Sequence, residues 1–279
     1  MEQKNFKCVF TDLDKTLLAP GSVLTDYTKE TIGMLISKGI YFVPSSGRAF
    51  NSFPKELLKM EGLKYAVTSN GVSVNEIKNG KPVSTMCIPK EELKQIIKIA
   101  KGKKVCTEIF VKGQGYCSRE YWNDPTIAGE KISERKIYVQ ATRIPLDDYD
   151  SFVIENVANT EAFDIIANPE IASEIKEELK EKFPGVYITH SENFLIEISN
   201  LESGKHRGME RCCKILGISP KECIAFGDAS NDMEMLQMAG LGIAVANATP
   251  ECKAAAAFTS EYTNNQDAVA RELRKIFNL

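Results

Sequence analysis

Short apolar runs recur along the chain, and between them lie segments whose apolar residues fall three and four positions apart. The first pattern suits a strand buried on both faces and the second a helix laid against a sheet, so their alternation predicts a parallel sheet covered by helices. Residues 6–11 predict the first strand. Thr25 or Asp26 can cap the next helix, with Ile32, Leu35 and Ile36 facing inward and Gly39 ending it. Residues 40–45 predict the second strand. Residues 65–68, 222–226 and 241–246 predict three more, the last two separated by a short helix at residues 232–238.

Each run gives way to polar residues: Asp12-Leu13-Asp14, Ser46-Gly47-Arg48, Asn70-Gly71, Gly227-Asp228 and Asn247. Strands of a parallel sheet end on one edge, where open α/β folds bind ligands, so these segments are expected at one crevice. Residues 84–189 break the pattern. Helices are predicted there at residues 90–101 and 170–183, among β-rich stretches at residues 109–117 and 137–140. The expected fold class is therefore α/β: a parallel-sheet core from residues 1–83 and 190–279, with a second α/β domain, residues 84–189, inserted into it. The Lys101-Gly102-Lys103-Lys104 run reads as a solvated helix end.

Charge and composition narrow the function classes. Across 279 residues, 35 Lys and Arg face 38 Asp and Glu for a net charge of -3, which leaves no basic field for a phosphate backbone and excludes nucleic acid as the expected partner. The eight cysteines are scattered, mostly within apolar runs, and read as reduced core residues. No Cys-x-x-Cys occurs, and only His190 and His206 are available to join a zinc site. Residues 1–7 are polar, with no apolar export signal, and no later stretch has the length of a membrane span. A cytoplasmic protein without a membrane partner is expected, and no protein partner is indicated.

Asp12 and Asp14, two positions apart on an extended chain, point to one side and repel each other. A shared proton or a hard cation with oxygen ligands relieves that repulsion. Asp228 and Asp232, at the end of another predicted strand, add ligands or neighbours for such a cation. An Asp-x-Asp alone is common in solvated loops; the second acidic loop is what makes a candidate site. Beside a cation, a carboxylate such as Asp12 can attack a phosphoryl group and form an aspartyl-phosphate. Asp14 can then act as acid for the leaving oxygen and base for water. A phosphoryl group in transfer needs donors around its equatorial oxygens, and Ser46, the Gly47 amide, Lys205 and Asn231 are candidates. From pattern alone Lys205 reads as a surface lysine opening the helix of Met209, Cys212, Cys213 and Leu216.

Asp12-Leu13-Asp14-Lys15-Thr16-Leu17, Ser46-Gly47-Arg48, Lys205 and Gly227-Asp228-Ala229-Ser230-Asn231-Asp232 together resemble the motifs of the haloacid dehalogenase superfamily of phosphatases. Their order and spacing resemble its Cof-type branch, in which a large, IIB-like α/β cap stands between the second and third motifs of a Rossmann-like core. The resemblance covers residues 5–83 and 190–275; the cap matches in placement and length only. It implies a Mg²⁺-dependent hydrolase of small phosphate monoesters such as sugar phosphates, with Asp12 as nucleophile and Asp14 as acid and base. It also implies Mg²⁺ on the Asp12 carboxylate, the Asp14 main-chain oxygen and Asp228. The Leu13 amide, Ser46, Gly47, Lys205 and Asn231 would hold the phosphate, and Asp232 would orient its neighbours. Ser46 stands where Thr is commoner, Ala229-Ser230 where Gly-Glu is frequent, and Gly208 follows the lysine after two intervening residues where many relatives have glycine next to it.

Rival readings have less to stand on. Gly240-Leu241-Gly242 precedes an apolar run, whereas a dinucleotide fingerprint comes after a strand, and Gly204-Lys205 leads into His206, which breaks a P-loop. His206 reads as a surface or neighbouring residue, and His190 has no partner nearby in sequence. A phospho-accepting signalling module shares the acidic residues, hydroxyl and lysine, but needs neither a large insertion nor a carboxylate two positions after the acceptor. A sugar phosphomutase is the alternative within enzymes. Substrate choice is expected from residues 84–189, where Tyr116, Arg119, Trp122 and Asp124 form a polar-aromatic group, with hinges at residues 83–89 and 187–192.

Overall fold

A computed structural model describes residues 6–129, 135–190 and 192–279. The first five of the polar N-terminal residues and position 191 of the second expected hinge lie outside the described residues.

In chain order the first segment forms β1 (Cys8–Thr11), α1 (Asp26–Ser37), β2 (Tyr41–Pro44), α2 (Lys55–Leu58), β3 (Tyr65–Thr68), β4 (Ser73–Glu76) and β5 (Pro82–Thr85). Next come α3 (Lys90–Lys101), β6 (Cys106–Val111), β7 (Gln114–Ser118), α4 (Arg119–Asn123), α5 (Arg135–Thr142), β8 (Arg143–Leu146) and α6 (Tyr149–Asn156). After them stand β9 (Thr160–Ile166), α7 (Pro169–Lys182), β10 (Val186–Thr189) and β11 (Leu195–Asn200). The last segment forms α8 (Lys205–Leu216), β12 (Cys223–Gly227), α9 (Met233–Met238), β13 (Leu241–Ala244), α10 (Pro250–Ala255), β14 (Phe258–Thr259) and α11 (Ala268–Phe277).

The chain divides into two compact units. The first takes the described residues up to Arg48, then Phe53–Ser84 and Lys205–Leu279. Its sheet runs β14-β13-β12-β1-β2 with every pair parallel, and a bridge from Ser45 to Val67 carries the parallel order on to β3. All four residues of β1 and all five of β12 are buried, as strands covered on both faces must be. On one side Met209, Cys212 and Cys213 of α8 and Met235 and Leu236 of α9 pack against Cys8, Phe10, Val43 and Ala225. Thr25 caps α1 as expected, its hydroxyl accepting from the Thr28 amide at 3.1 Å.

The second unit takes Ala49–Ser52 and Thr85–Gly204. Its sheet runs β10-β11-β9-β6-β7-β8, antiparallel except for β7 and β8. Alternation along the strands sends Ile109, Phe163, Ile165, Ile196 and Ile198 to one face, under Leu93 and Ile96 of α3 and Ile175 and Leu179 of α7. The opposite face mixes apolar and charged residues.

Three expectations change here. Residues 137–140 were expected in extended chain but lie in α5, whose Val139 is buried while Ile137 stays 80% exposed; the alternation of Ile137 and Val139 imitates a strand. Residues 190–204 were placed with the core but belong to the second unit, because β11 pairs with both β9 and β10. The group at residues 116–124 separates. Tyr116 stacks on Phe152 at 4.5 Å in the cluster of the apolar face, Trp122 packs in another cluster, Arg119 pairs with Asp147 at the surface, and Asp124 caps the turn at Thr126. All eight cysteines are free thiols. No described helix is long and apolar enough to cross a membrane.

Gly208 explains how α8 reaches β3. A Cβ there would lie 2.4 Å from Val67 Cγ1 and 2.9 Å from Gly71 Cα, so only glycine lets the helix sit this close. Gly208→Ala is expected to cost about 1–3 kcal/mol through overpacking, against a gain in helix propensity of about 1 kcal/mol. Urea unfolding reads the difference; a raised midpoint would show that the helix has room.

Candidate active site

Asp12 lies just beyond β1 and continues its ladder by one step, the Asp12 amide donating to Phe226 O at 3.0 Å. Because β1 and β12 run parallel in register, this step brings Asp12 to the strand end that Gly227 and Asp228 also occupy. Lys205, the first residue of α8, reaches both loops. Its ammonium donates to Asp12 Oδ1 at 2.6 Å and to Asp232 Oδ1 at 2.7 Å. These side chains are buried, as is Asp228.

Asp232 holds the loop together. Its second oxygen accepts from the amides of Asp228 at 3.0 Å and Ala229 at 3.1 Å. Gly227 is glycine because a Cβ there would lie 2.3 Å from the Cβ of Asp232. Thr16, in the turn after β1, donates to Asp228 Oδ1 at 2.9 Å and so ties the two loops from the other side.

Ser46 stands at the end of β2, its amide donating to Val67 O at 3.0 Å and its hydroxyl accepting from the Arg48 amide at 3.2 Å. The Asn70 amide donates to Ser46 O at 3.0 Å, and Asn231 Nδ2 donates to Asn70 Oδ1 at 3.0 Å. Asn70 thus joins Ser46 to Asn231. Asn231 Oδ1 is buried and accepts no hydrogen bond among the described residues. The Leu13 side chain is buried, and Leu13 O accepts from the Leu17 and Leu18 amides in the turn after β1.

Asp14 takes a different direction from Asp12. The Arg48 guanidinium holds it in a fork, Nε to Oδ2 at 2.7 Å and a terminal nitrogen to Oδ1 at 2.5 Å, and also donates to Ser22 Oγ at 2.7 Å. Arg48 is 6% exposed, so this pair is well shielded on the arginine side. Sequence reasoning assigns Arg48 no role, although it closes the Ser46-Gly47-Arg48 segment. It also passes over Thr16 and Asn70, both polar residues within or at the start of quoted segments.

Charge dominates the site. Carboxylate oxygens of Asp12, Asp228 and Asp232 lie within 4.8 Å of one another. Burial pushes the Asp12 carboxyl well above its ordinary range; Lys205 pulls it down, while Asp232, Asp228 and Asp14 push it up. Burial, then Asp232, push Asp228 up to about 7 against the pull of Lys205 and Thr16. Burial opposes the Lys205 charge, but Asp12 and Asp232 outweigh it and raise its pKa.

Three carboxylates against one ammonium leave two negative charges. Both Asp232 oxygens are engaged, whereas Asp12 and Asp228 each keep an oxygen that accepts no hydrogen bond among the described residues. An all-oxygen donor set with a deficit of two charges fits a hard divalent cation.

Known proteins share both the sequence pattern and the fold. The sequence model of the haloacid dehalogenase-like hydrolases matches residues 9–273. A Haemophilus influenzae protein named "Putative phosphatase" is 30% identical over 273 residues, covering 98% of each chain. The Bacillus subtilis 5-amino-6-(5-phospho-D-ribitylamino)uracil phosphatase is 27% identical over 283 residues, covering 100% of each. The fold of a subclass IIB sugar phosphatase superposes with a TM-score of 0.79 at 20% identity, covering 98% of this chain and 99% of that one. A strand-end aspartate paired with a helix-start lysine beside a second acidic loop, on a parallel sheet interrupted by an α/β insertion, defines a phosphoryl-handling hydrolase of the α/β class. The chain belongs to the haloacid dehalogenase-like hydrolases, as a Cof-type phosphatase.

Replacing Lys205 by Met strips the counter-charge from two buried carboxylates. Metal-free protein at pH 8 is expected to lose about 3–5 kcal/mol, with part recovered by adding Asp12→Asn. Denaturant titration of the single and double variants checks this, and strictly additive losses would mean that Lys205 and Asp12 do not interact.

Proposed function

We propose that the chain hydrolyses small phosphate monoesters with Mg²⁺, passing the phosphoryl group through Asp12. The observation that carries this reading is the buried Asp12 carboxylate held at 2.6 Å by Lys205, with the carboxylate of Asp228 beside it. Asp12, Asp228 and the main-chain oxygen of Asp14 would hold the ion. When bound, Mg²⁺ supplies positive charge that polarises the phosphoryl oxygens and lets anionic ester approach anionic carboxylates.

Lys205 fixes one Asp12 oxygen and leaves the carboxylate a single orientation for attack on phosphorus. Attack forms the Asp12 aspartyl-phosphate and breaks the bond to the leaving oxygen. Asp14, once out of the Arg48 fork and protonated from solvent, gives that oxygen its proton and later takes one from the water that breaks the bond between Asp12 and phosphorus, which restores the Asp12 carboxylate and the protonated Asp14. The Arg48 fork keeps the Asp14 carboxylate clear of Asp12 until substrate binds. The Leu13 and Gly47 amides, the Ser46 hydroxyl and Asn231 serve as donors to the phosphoryl oxygens, Lys205 adds charge, and Asp232 keeps Lys205 in place. The second unit governs the choice of leaving group. A ribityl phosphate and sugar phosphates are the substrates that the names of two relatives give, and both support a polyhydroxylated ester here.

Asp12→Asn keeps the shape and removes the nucleophilic charge, so turnover of p-nitrophenyl phosphate is expected to fall by about 10³-fold or more with folding intact. Retained turnover would end the covalent mechanism. Excess chelator is expected to abolish phosphate release and added Mg²⁺ to restore it; full activity in chelator would refute the metal assignment.

A further inference from the structure

Between the end of β2 and Ser46 stands a residue whose hydroxyl the proposed reaction leaves unused. Ser45 is fully buried, and its Oγ makes no hydrogen bond among the described residues. A hydroxyl buried without a partner costs stability, and alanine would fill the same space without that cost. Beside a functional site, where local rules give way to chemistry, such a group is evidence of use.

Sheet register shows where the hydroxyl lies. Thr11 pairs with Pro44, and the ladder runs on by one step, the Ser45 amide donating to Thr11 O at 2.8 Å. Ser45 therefore stands on the same rung as Asp12, about 4.8 Å away across the strands. On its other side a parallel bridge pairs it with Val67. Rung partners share a face of the sheet, and here it is the face under α8. Phe10, Val43 and Val67 pack there with Met209 and Cys212, and Lys205 reaches Asp12 from the same helix. The two neighbours of Ser45 on this rung are thus an isopropyl group and a carboxylate, and of these the carboxylate alone can accept a hydrogen bond. It has acceptor sites to spare beyond the one that Lys205 takes. A serine side chain turns about a single bond, so the hydroxyl needs no backbone movement to swing toward Asp12.

We propose that the Ser45 hydroxyl donates to the Asp12 carboxylate while the aspartyl-phosphate breaks down. This rests on the phosphatase reading and adds a donor to it. In that step the water oxygen bonds to phosphorus, the bond from Asp12 to phosphorus breaks, and its electron pair returns to the Asp12 carboxylate, while Asp14 takes the water proton. Negative charge thus grows on a buried carboxylate. Lys205 meets part of it at Oδ1, and a hydroxyl on the same rung meets more, in a place shielded from water where a fixed donor is worth most. Formation of the intermediate runs the other way. The carboxylate gives up charge as it attacks, so the same donor does not speed that step. Ser45 therefore favours breakdown over formation, which separates it from Ser46 and Asn231, the donors for the phosphoryl oxygens in both steps.

Acid quenching of the steady state with saturating radiolabelled acetyl phosphate and Mg²⁺ reads the ratio of phosphorylated to unphosphorylated enzyme, and labelled phosphate reads turnover. Ser45→Ala is expected to raise that ratio about tenfold. It should also melt no lower than wild type, because it removes an unpaired hydroxyl. Ser45→Cys, of similar shape and a weaker donor, is expected to fall between the two. Label that appears only in the variants supports the proposal as well. An unchanged ratio overturns it, and when joined to a lower melting point marks the hydroxyl as structural. A lower ratio overturns it too, since the hydroxyl then serves formation. Phosphate release without label in any of the three proteins ends the covalent mechanism and this proposal with it. If wild type releases no phosphate from acetyl phosphate or p-nitrophenyl phosphate, the phosphatase reading itself fails, and the proposal falls with it.

Discussion

The Lys205 ammonium lies 2.6 Å from Asp12 and 2.7 Å from Asp232, and all three side chains are buried. Burying one such charge is tolerable only when it is paired and hydrogen-bonded. Here the pairing is uneven, because Asp228 stands within the same small volume. Two negative charges remain, and burial first, then the neighbouring carboxylates, raise the pKa values of Asp12 and Asp228. Protons can relieve it in the resting protein. A divalent cation relieves it in a form that also attracts an anionic ester, which links the electrostatics of folding to those of the proposed reaction.

The rest of the first unit supports this arrangement. Parallel pairing of β1 and β12 sets Asp12 and Asp228 on one edge, and glycine at 227 lets Asp232 fold back beneath its own loop. Glycine at 208 brings α8 against β3, and Lys205 opens that helix. Asp14 is held apart by Arg48. Two carboxylates two positions apart therefore have different environments, one buried with an ammonium and one half-exposed in a guanidinium fork.

Much of this was legible in the sequence, for a definite reason. Asp12, Ser46 and Asp228 each follow an apolar run that stops at polar residues, whereas pattern alone put Lys205 at the surface, where the structure buries it, and only the family motif drew attention to it. Their mutual distances could not be read, because Lys205 and Asp12 are 193 positions apart and meet only through the sheet order. The β-rich look of residues 137–140 misled: they lie in α5, whose Arg135, with Arg143 of β8, turns toward Glu108. Tyr116 of β7 and Trp122 of α4, which sequence proximity had grouped together, pack in different clusters. β11 was assigned to the wrong unit because its apolar run carries no sign of which strands it pairs with.

The charge deficit around Asp12 can be measured directly. Mg²⁺ titration by calorimetry at pH 6, run in buffers of different ionisation enthalpy, counts the protons released as the ion binds. Since Asp228 is pushed up to about 7 and Asp12 also lies above its ordinary range, proton release is predicted at pH 6, fading as the pH rises above that value. In Asp228→Asn both binding and release should weaken. Tight Mg²⁺ binding at pH 6 with no proton released, or binding indifferent to Asp228, would contradict the claim that a divalent cation settles this deficit.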